Sequence, residues 1–246
     1  MVTIVKATAA LLTILSVFAF AQEKGTFTDA RDKKEYKTVK IGKQIWMAEN
    51  LNYAAEGSVC YDKDQANCEK YGRLYNWKTA MDGKAGSDKE PSGVQGVCPK
   101  GWHLPSNKEW DKLYRTADST SGTESLYESK TAGKYLKAKS GWENYKFKAW
   151  EDKDKVWKDT ERSGGGEDTF GFSALPGGAY GGGSSGFGQS GGNNGFFQVG
   201  SYGYWWSSSE RKGYYFYRRS MGLTNDQACT SFDGDGFLAS VRCMKD

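Results

Sequence analysis

The segment CPKGWHLPSNKEWDKLYRTA, residues 98–117, contains the clearest helix signal of the chain. Ser106 and Glu109 form a capping box, in which a hydroxyl and a carboxylate satisfy backbone N–H groups of the first turn. Apolar side chains then recur at spacings of i, i+3, i+4 and i+7 from Trp110 to Ala117, which is the pattern of one buried helix face. The segment therefore predicts an amphipathic helix that begins at Ser106 and packs against a core.

Two short runs rich in β-branched and aromatic residues precede this helix. Residues 36–41 and 45–47 flank Gly42-Lys43, an arrangement that predicts a β-hairpin. Downstream, residues 118–168 mix charges with scattered Trp, and the sequence predicts no particular element there. The Lys-rich stretch Lys130–Lys158 interleaves with Asp and Glu, so we interpret it as a solvated surface.

A segment of 41 residues without a single charge, Thr169–Ser209, is rich in Gly, Phe, Tyr and Trp. It has two interpretations. In the first, which we favour, it is a loop-rich core in which Gly supplies unusual backbone angles and aromatic rings fill the interior. In the second, the rings form a surface that stacks on sugars. The candidate ligand contacts are then Tyr202, Tyr204, Trp205 and Trp206.

The composition excludes several classes of protein. Aromatic residues make up 15% of the 246 residues, too many for a disordered chain. The 34 basic and 30 acidic residues give a net charge of +4, spread over both signs, which gives no electrostatic case for nucleic acid binding. The single histidine, His103, excludes a His-rich metal site. Because it lies just before a helix cap, we expect it to be buried and structural.

The first 21 residues predict a secretory signal peptide. Lys6 supplies the positive end, Ala7–Phe20 is an uncharged run of 14 residues, and Ala19-Phe20-Ala21 fits a cleavage motif. Fourteen helical residues rise only about 21 Å, short of the roughly 30 Å membrane core. We therefore expect a mature chain that begins at Gln22 without a transmembrane span. It would be secreted, either released outside the cell or held on its outer surface.

Export favours disulfides over metal sites as the role of the five cysteines. Cys60 and Cys68 can close a small loop. Cys98 and Cys243 can close a loop of 146 residues, which contributes about 4–5 kcal/mol in the chain-entropy model. Cys229 is the fifth cysteine and lies outside both predicted bonds. No CxxC pair is present to favour a metal.

Seven segments together resemble a known domain family, the Fibrobacter succinogenes major paralogous domain. They occur in order over about residues 26–245, nearly all of the expected mature chain. The segments are YKTVKIG (36–42), QIWMAENL (44–51), YGRLYNW (71–77), CPKGWHLPS (98–106), GFSALPGG (171–178), WWSS (205–208) and SVRC (240–243). The resemblance implies one domain over residues 22–246, secreted or on the cell surface and without assigned biochemistry.

The family is similar in turn to the C-type-lectin-like fold, including its formylglycine-generating-enzyme branch. The fold class implied is α+β, with small antiparallel sheets, one or two helices and long loops rich in Gly and aromatic residues. In such folds the first helix and the last strand lie close together, which suits a bond between Cys98 and Cys243.

The resemblance also raises the question of a Ca²⁺ cofactor. Sugar-binding C-type lectins hold Ca²⁺ with a Pro-containing loop, which is absent here, and with a Trp-Asn-Asp triplet, which Thr224-Asn225-Asp226 resembles. Carboxylates nearby in sequence could complete a set of oxygen ligands. The candidate calcium ligands are Asn225, Asp226, Asp233 and Asp235. The competing interpretation is that the Asp-Gly pairs are plain turns.

Catalysis is the minority interpretation, and we predict no catalytic residue. Formylglycine-generating enzymes need a reactive cysteine pair, whereas Cys243 is better explained as structural. Glu49 and Asp111 are a conceivable acid–base pair, but their spacing does not select them. No P-loop, GxSxG or HExxH pattern occurs.

We therefore expect a non-catalytic binding or adhesion module whose partner is a polysaccharide or a cell-surface protein. The alternative is an enzyme of the formylglycine-generating type or an accessory to polysaccharide processing.

Overall fold

The computed structural model describes residues 23–118, 128–153, 155–181, 195–212 and 214–246. The predicted signal peptide, residues 1–21, and the expected cleavage before Gln22 lie outside these ranges. The strands are, in chain order, β1 (Lys24–Thr28), β2 (Glu35–Ile41), β3 (Gln44–Met47), β4 (Tyr75–Asn76), β5 (Trp102–His103), β6 (Glu128–Ser129), β7 (Asn144–Glu151), β8 (Val156–Ser163), β9 (Gly177–Tyr180), β10 (Phe196–Val199), β11 (Tyr202–Arg211), β12 (Tyr215–Gly222), β13 (Ala228–Asp233), β14 (Leu238–Ala239) and β15 (Met244–Lys245).

Four short helices accompany these strands in the described ranges, two or three more than the one or two that the resemblance implies. They are α1 (Gln65–Tyr71), α2 (Trp77–Met81), α3 (Asn107–Ala117) and α4 (Ala132–Leu136), with a 3-10 turn at Tyr61–Lys63 before α1. Helices of five to seven residues are too short to display a period of 3.6. No helix in the described part of the chain is long and apolar enough to cross a membrane.

The predicted capping box at the start of α3 is confirmed. Ser106 Oγ accepts a hydrogen bond from the Glu109 N–H at 3.4 Å, and Glu109 Oε2 accepts one from the Ser106 N–H at 2.9 Å. The predicted helix face, which runs from Trp110 to Ala117, is buried. The helix thus begins where its cap residue lies and packs through its apolar stripe.

A five-stranded antiparallel sheet has the order β1-β2-β3-β15-β5. The predicted hairpin is its β2–β3 unit, in which Gly42 at φ 60° provides the left-handed turn residue. The final strand, β15, lies between β3 and β5. That position brings Cys243 beside Cys98, and the two form a disulfide. The second predicted disulfide, Cys60–Cys68, is also present.

The larger sheet follows the order β4-β14-β9-β11-β12-β13-β6, and β10 also pairs with β9. Its long central strand is β11, which carries the end of the charge-free segment. Adjacent residues of a strand point to opposite faces, so Trp205 and Trp206 enter two different core clusters. The segment thus contributes buried aromatic side chains to the core, as the favoured interpretation expects, but much of its described part forms strands β9, β10 and β11 where that interpretation expects loops.

A third, two-stranded sheet consists of β7 and β8 alone. It lies in the stretch where the sequence predicts no particular element. Taken together, the described residues are mostly β structure in small, largely antiparallel sheets, with a few short helices. This arrangement is compatible with the α+β class.

Candidate functional site

The aromatic residues predicted to stack on sugars are mostly core residues. Trp205 and Trp206 are fully buried and Tyr204 nearly so, while Tyr202 is partly buried and stacks on Tyr204 with ring centroids 5.7 Å apart. Trp206 Nε1 donates a hydrogen bond to the Tyr75 carbonyl oxygen at 2.6 Å. The prediction of a ligand surface at these four residues therefore needs correction, because both faces of β11 are covered by the fold.

A buried polar network joins several of the family-like segments. Asn50 Oδ1 accepts hydrogen bonds from Arg242 Nη2 at 2.7 Å, from Arg242 Nε at 3.0 Å and from Trp205 Nε1 at 2.8 Å. Arg242 also donates to the Phe172 carbonyl oxygen at 2.6 Å. Burial lowers the pKa of Arg242 to about 9, because removal from bulk solvent disfavours the charged form. This network holds the fold together and offers no group to a ligand.

The lone histidine is held between two carboxylates. His103 Nε2 lies 2.9 Å from Glu109 Oε1, and His103 Nδ1 lies 2.7 Å from Asp246 Oδ1. Burial by itself lowers the pKa of His103, but hydrogen bonds and charge from Glu109 and Asp246 outweigh it, so the pKa is raised above 6.5. The imidazole is buried, and both nitrogens contact carboxylates, so the geometry favours a structural role. We call the contacts of His103 with Glu109 and Asp246 the His103 clamp.

This clamp predicts how stability depends on pH. Because the folded pKa of His103 is raised above 6.5, its contribution to stability is complete below that pH and is lost as pH rises through the folded pKa. We expect the difference in unfolding free energy between wild type and His103→Gln to be larger at about pH 5.5 than at about pH 8.5. Urea unfolding of both proteins measures it. A difference that grows with pH would contradict the clamp.

The four candidate calcium ligands are not gathered into one site. Asp226 pairs with Arg162 at 3.2 Å, Asp233 with Arg218, and Asp235 with Lys78 at 2.8 Å. Asn225 Oδ1 accepts a hydrogen bond from the Gln227 N–H at 3.0 Å, closing a local turn. Across the described ranges, no cluster of three or more His, Cys, Asp or Glu could hold a metal ion. The prediction of calcium coordination by these four residues is therefore corrected to separate ion pairs and a turn.

A lysine that the sequence analysis did not identify, Lys137, contacts the loop between β12 and β13. The buried Lys137 Nζ donates hydrogen bonds to the carbonyl oxygens of Gly222 at 3.0 Å and Asn225 at 2.9 Å. Burial lowers the pKa of Lys137 to about 8. The side chain of Lys137 thus places a positive charge beside the carbonyl oxygens of Gly222 and Asn225.

The conceivable acid–base pair is also explained by local contacts. Glu49 Oε2 accepts a hydrogen bond from the Lys37 N–H at 2.8 Å, and Asp111 Oδ1 lies 2.7 Å from Arg219 Nη1. The two carboxylates therefore support different elements.

A cleft of about 520 Å³ lies between the first strands and α2. Its lining includes Arg31 and Tyr53, and the Arg31 guanidinium lies 3.8 Å from the centre of the Tyr53 ring. Arg31 is itself held by Asp29 at 2.7 Å and by the Val97 carbonyl oxygen at 2.9 Å. Arg31 therefore covers one face of the Tyr53 ring, and that face is not available to a ligand.

Most of the exposed aromatic rings among the described residues lie elsewhere, on the β7–β8 hairpin. Six large hydrophobic side chains are exposed among the described residues, and four of them belong to this hairpin: Phe147, Trp150, Val156 and Trp157. Trp150 and Trp157 face each other across the strands, with ring centroids 5.5 Å apart and planes at 62°. We name the solvent-facing side that carries them the Trp150–Trp157 face.

The sequence does contain a signal for this hairpin. Tyr145, Phe147 and Ala149 alternate with Lys146 and Lys148, which is the period of two expected of a strand. This alternation is hard to recognise among the surrounding charges, because neither strand of the hairpin has a fully buried face and neither contains a continuous apolar run.

Comparison with known proteins identifies the family. The model of the Fibrobacter succinogenes major domain matches residues 39–245. No curated protein and no solved structure matches the chain. The matched range contains the Asn50–Arg242 network, His103 and the β7–β8 hairpin, and it covers well over half of the sequence. The chain therefore belongs to the Fibrobacter succinogenes major domain family.

Proposed function

We propose that this chain is a secreted, non-catalytic binding module that recognises polysaccharide at or outside the cell surface. The observation that carries the proposal is the concentration of exposed large hydrophobic side chains on one two-stranded sheet. Exposed aromatic rings are rarely clustered on soluble proteins without a partner. A ring offers its negative face to the weakly positive C–H groups of a sugar, and needs no net charge to do so.

Secretion is part of the proposal, with residues 1–21 as signal peptide and residues 22–246 as one domain. The two disulfides are compatible with an oxidising compartment. A C-type-lectin-like arrangement also belongs to the proposal. It is supported by the position of β15 between β3 and β5, which brings the last strand next to early ones.

The non-catalytic part rests on the groups that an enzyme would need. Both nitrogens of His103 contact carboxylates, and Cys98 and Cys243 are joined to each other. A formylglycine-generating mechanism needs reactive thiols in a groove, and Cys243 in its disulfide is not one. These contacts favour binding over catalysis as the role of the domain.

The test is retention of the secreted protein on insoluble polysaccharides, with a disulfide-bonded protein of similar charge as the control. We expect retention on at least one polysaccharide, unchanged by a chelator because the candidate calcium residues are occupied by other contacts. Intact mass of the same sample checks for a chain that begins at Gln22. Retention on none of the polysaccharides would contradict the proposal, and turnover of a thiol substrate or capture of a surface protein would then identify the alternative role.

A further inference from the structure

One side of the β7–β8 hairpin is exposed along its whole length. The strand register places Trp150 opposite Trp157, Lys148 opposite Asp159, Lys146 opposite Glu161 and Asn144 opposite Ser163. Residues of a strand that are two apart share a face, so these eight side chains form the Trp150–Trp157 face. Each of them is exposed. Eight residues of strand extend about 26 Å at ~3.3 Å per residue, which is long enough for an extended polymer.

The opposite side of the hairpin fixes it to the body of the protein. Tyr145 Oη donates a hydrogen bond to the Thr224 carbonyl oxygen at 3.2 Å, and Arg162 pairs with Asp226 at 3.2 Å. The rings of Tyr145 and Phe147 stack on this side with centroids 5.4 Å apart. The hairpin is therefore anchored through one side while the other remains open to solvent.

The charges of the Trp150–Trp157 face compensate one another. Lys148 Nζ lies 3.8 Å from Asp159 Oδ1, and Asn144 Nδ2 donates to Glu161 Oε1 at 2.8 Å. With Lys146 opposite Glu161, the face carries two basic and two acidic groups. Because these charges cancel, the face exerts no net attraction on a polyanion. Its side chains still offer hydrogen-bond donors and acceptors to hydroxyl groups.

The two indoles are presented at different angles. Trp157 is 63% exposed and Trp150 is 47% exposed. Trp150 Nε1 donates to Asp152 Oδ1 at 2.9 Å, which fixes the direction of its ring. Because the ring planes meet at 62°, the pair is an edge-to-face cluster, and both indoles are exposed enough to contact sugar rings.

The geometry points to the Trp150–Trp157 face as the binding site for a neutral polysaccharide. The indoles stack on the C–H faces of the sugar rings, and the paired charges along the strands bind hydroxyl groups of the same chain. This inference rests on the proposed function and adds the location of the site and the uncharged class of ligand.

The experiment uses the full secreted chain and two soluble probes, hydroxyethyl cellulose and carboxymethyl cellulose, in affinity electrophoresis. We expect wild type to bind the neutral polymer more strongly than the anionic one. Trp157→Ala and Trp150→Ala should each weaken binding about tenfold, the effect of one lost aromatic contact. Trp157→Phe, which keeps a ring, should retain most of the affinity.

Two control variants separate binding from stability. Phe147→Ala removes a ring from the anchored side of the same hairpin, where Phe147 is 40% exposed. It removes a ring of the same hairpin, which stacks on Tyr145, without touching the proposed site. Tyr214→Ala removes an 86% exposed ring elsewhere. Both should bind as wild type does.

Several results would overturn the inference. Equal losses in Phe147→Ala and Trp157→Ala would mean that only hairpin stability matters. A preference for carboxymethyl cellulose would reject the neutral class, and a Trp157→Ala protein that binds normally would reject the site while leaving the proposed function intact. A dimer in wild type that Trp157→Ala dissociates would assign the face to a second copy. Failure of wild type on every polysaccharide, soluble or insoluble, would reject the proposed function itself.

Discussion

Asn50→Ala is expected to lower the free energy of unfolding by about 3–5 kcal/mol, the usual cost of leaving a buried charge without its partner. Asn50 Oδ1 accepts three hydrogen bonds, two from Arg242 and one from Trp205 Nε1. Asn50 Nδ2 donates to the Tyr71 carbonyl oxygen at 2.8 Å. Alanine removes all of these contacts at once, and the guanidinium group cannot turn to bulk solvent instead, because Arg242 is fully buried.

Urea unfolding followed by fluorescence measures this loss, and Asn52→Ala is the matched control. Asn52 is the same residue type two positions away and is only partly buried. Its side chain belongs to no network that the structure describes, so its replacement should cost less than about 1 kcal/mol. Equal losses for the two variants would show that the Asn50 network contributes little.

Replacing Cys98 and Cys243 together by alanine is expected to cost about 4–5 kcal/mol, because the bond closes a very long loop and restricts the unfolded chain. The Cys60–Cys68 bond joins residues only eight apart. Its double replacement by alanine should cost about 2–3 kcal/mol in the same chain-entropy model. The pair of variants therefore compares two bonds within one protein.

Urea unfolding of wild type and of both double variants shows which disulfide contributes more to the free energy of unfolding. Both bonded pairs are buried, so each variant also loses some packing, and the comparison between them is the informative quantity. A larger loss from the short loop than from the long one would contradict the loop-length argument.

The elements that sequence reasoning predicted are those with a strong local pattern. The capping box at Ser106 and the period of α3 depend only on neighbouring residues, as does the Gly42 turn of the first hairpin. The short helices α1, α2 and α4 were missed because two turns or fewer carry no measurable period.

The mistaken ligand surface has a physical cause. A strand covered on both faces has a continuous apolar run, and β11 begins with Tyr202-Gly203-Tyr204-Trp205-Trp206. The absence of charge in this segment marked burial. Only the three-dimensional structure shows that layers of side chains cover both of its faces.

The calcium prediction failed because closeness in sequence did not become closeness in space. Asp226 precedes β13 and Asp233 ends it, so an extended strand lies between them. The six residues of this strand extend about 20 Å at ~3.3 Å per residue. No motif search could have identified Lys137, whose partners lie more than eighty positions away in the chain.

The position of β15 constrains how the protein folds. Met244 pairs with Trp46 on one side and with His103 on the other, so the centre of this sheet joins residues that lie far apart in the chain. The strands β3 and β5 have no partner at that position until β15 reaches them. Contacts between such distant residues form slowly. We therefore expect this sheet to close late in folding, after the local β2–β3 hairpin has formed.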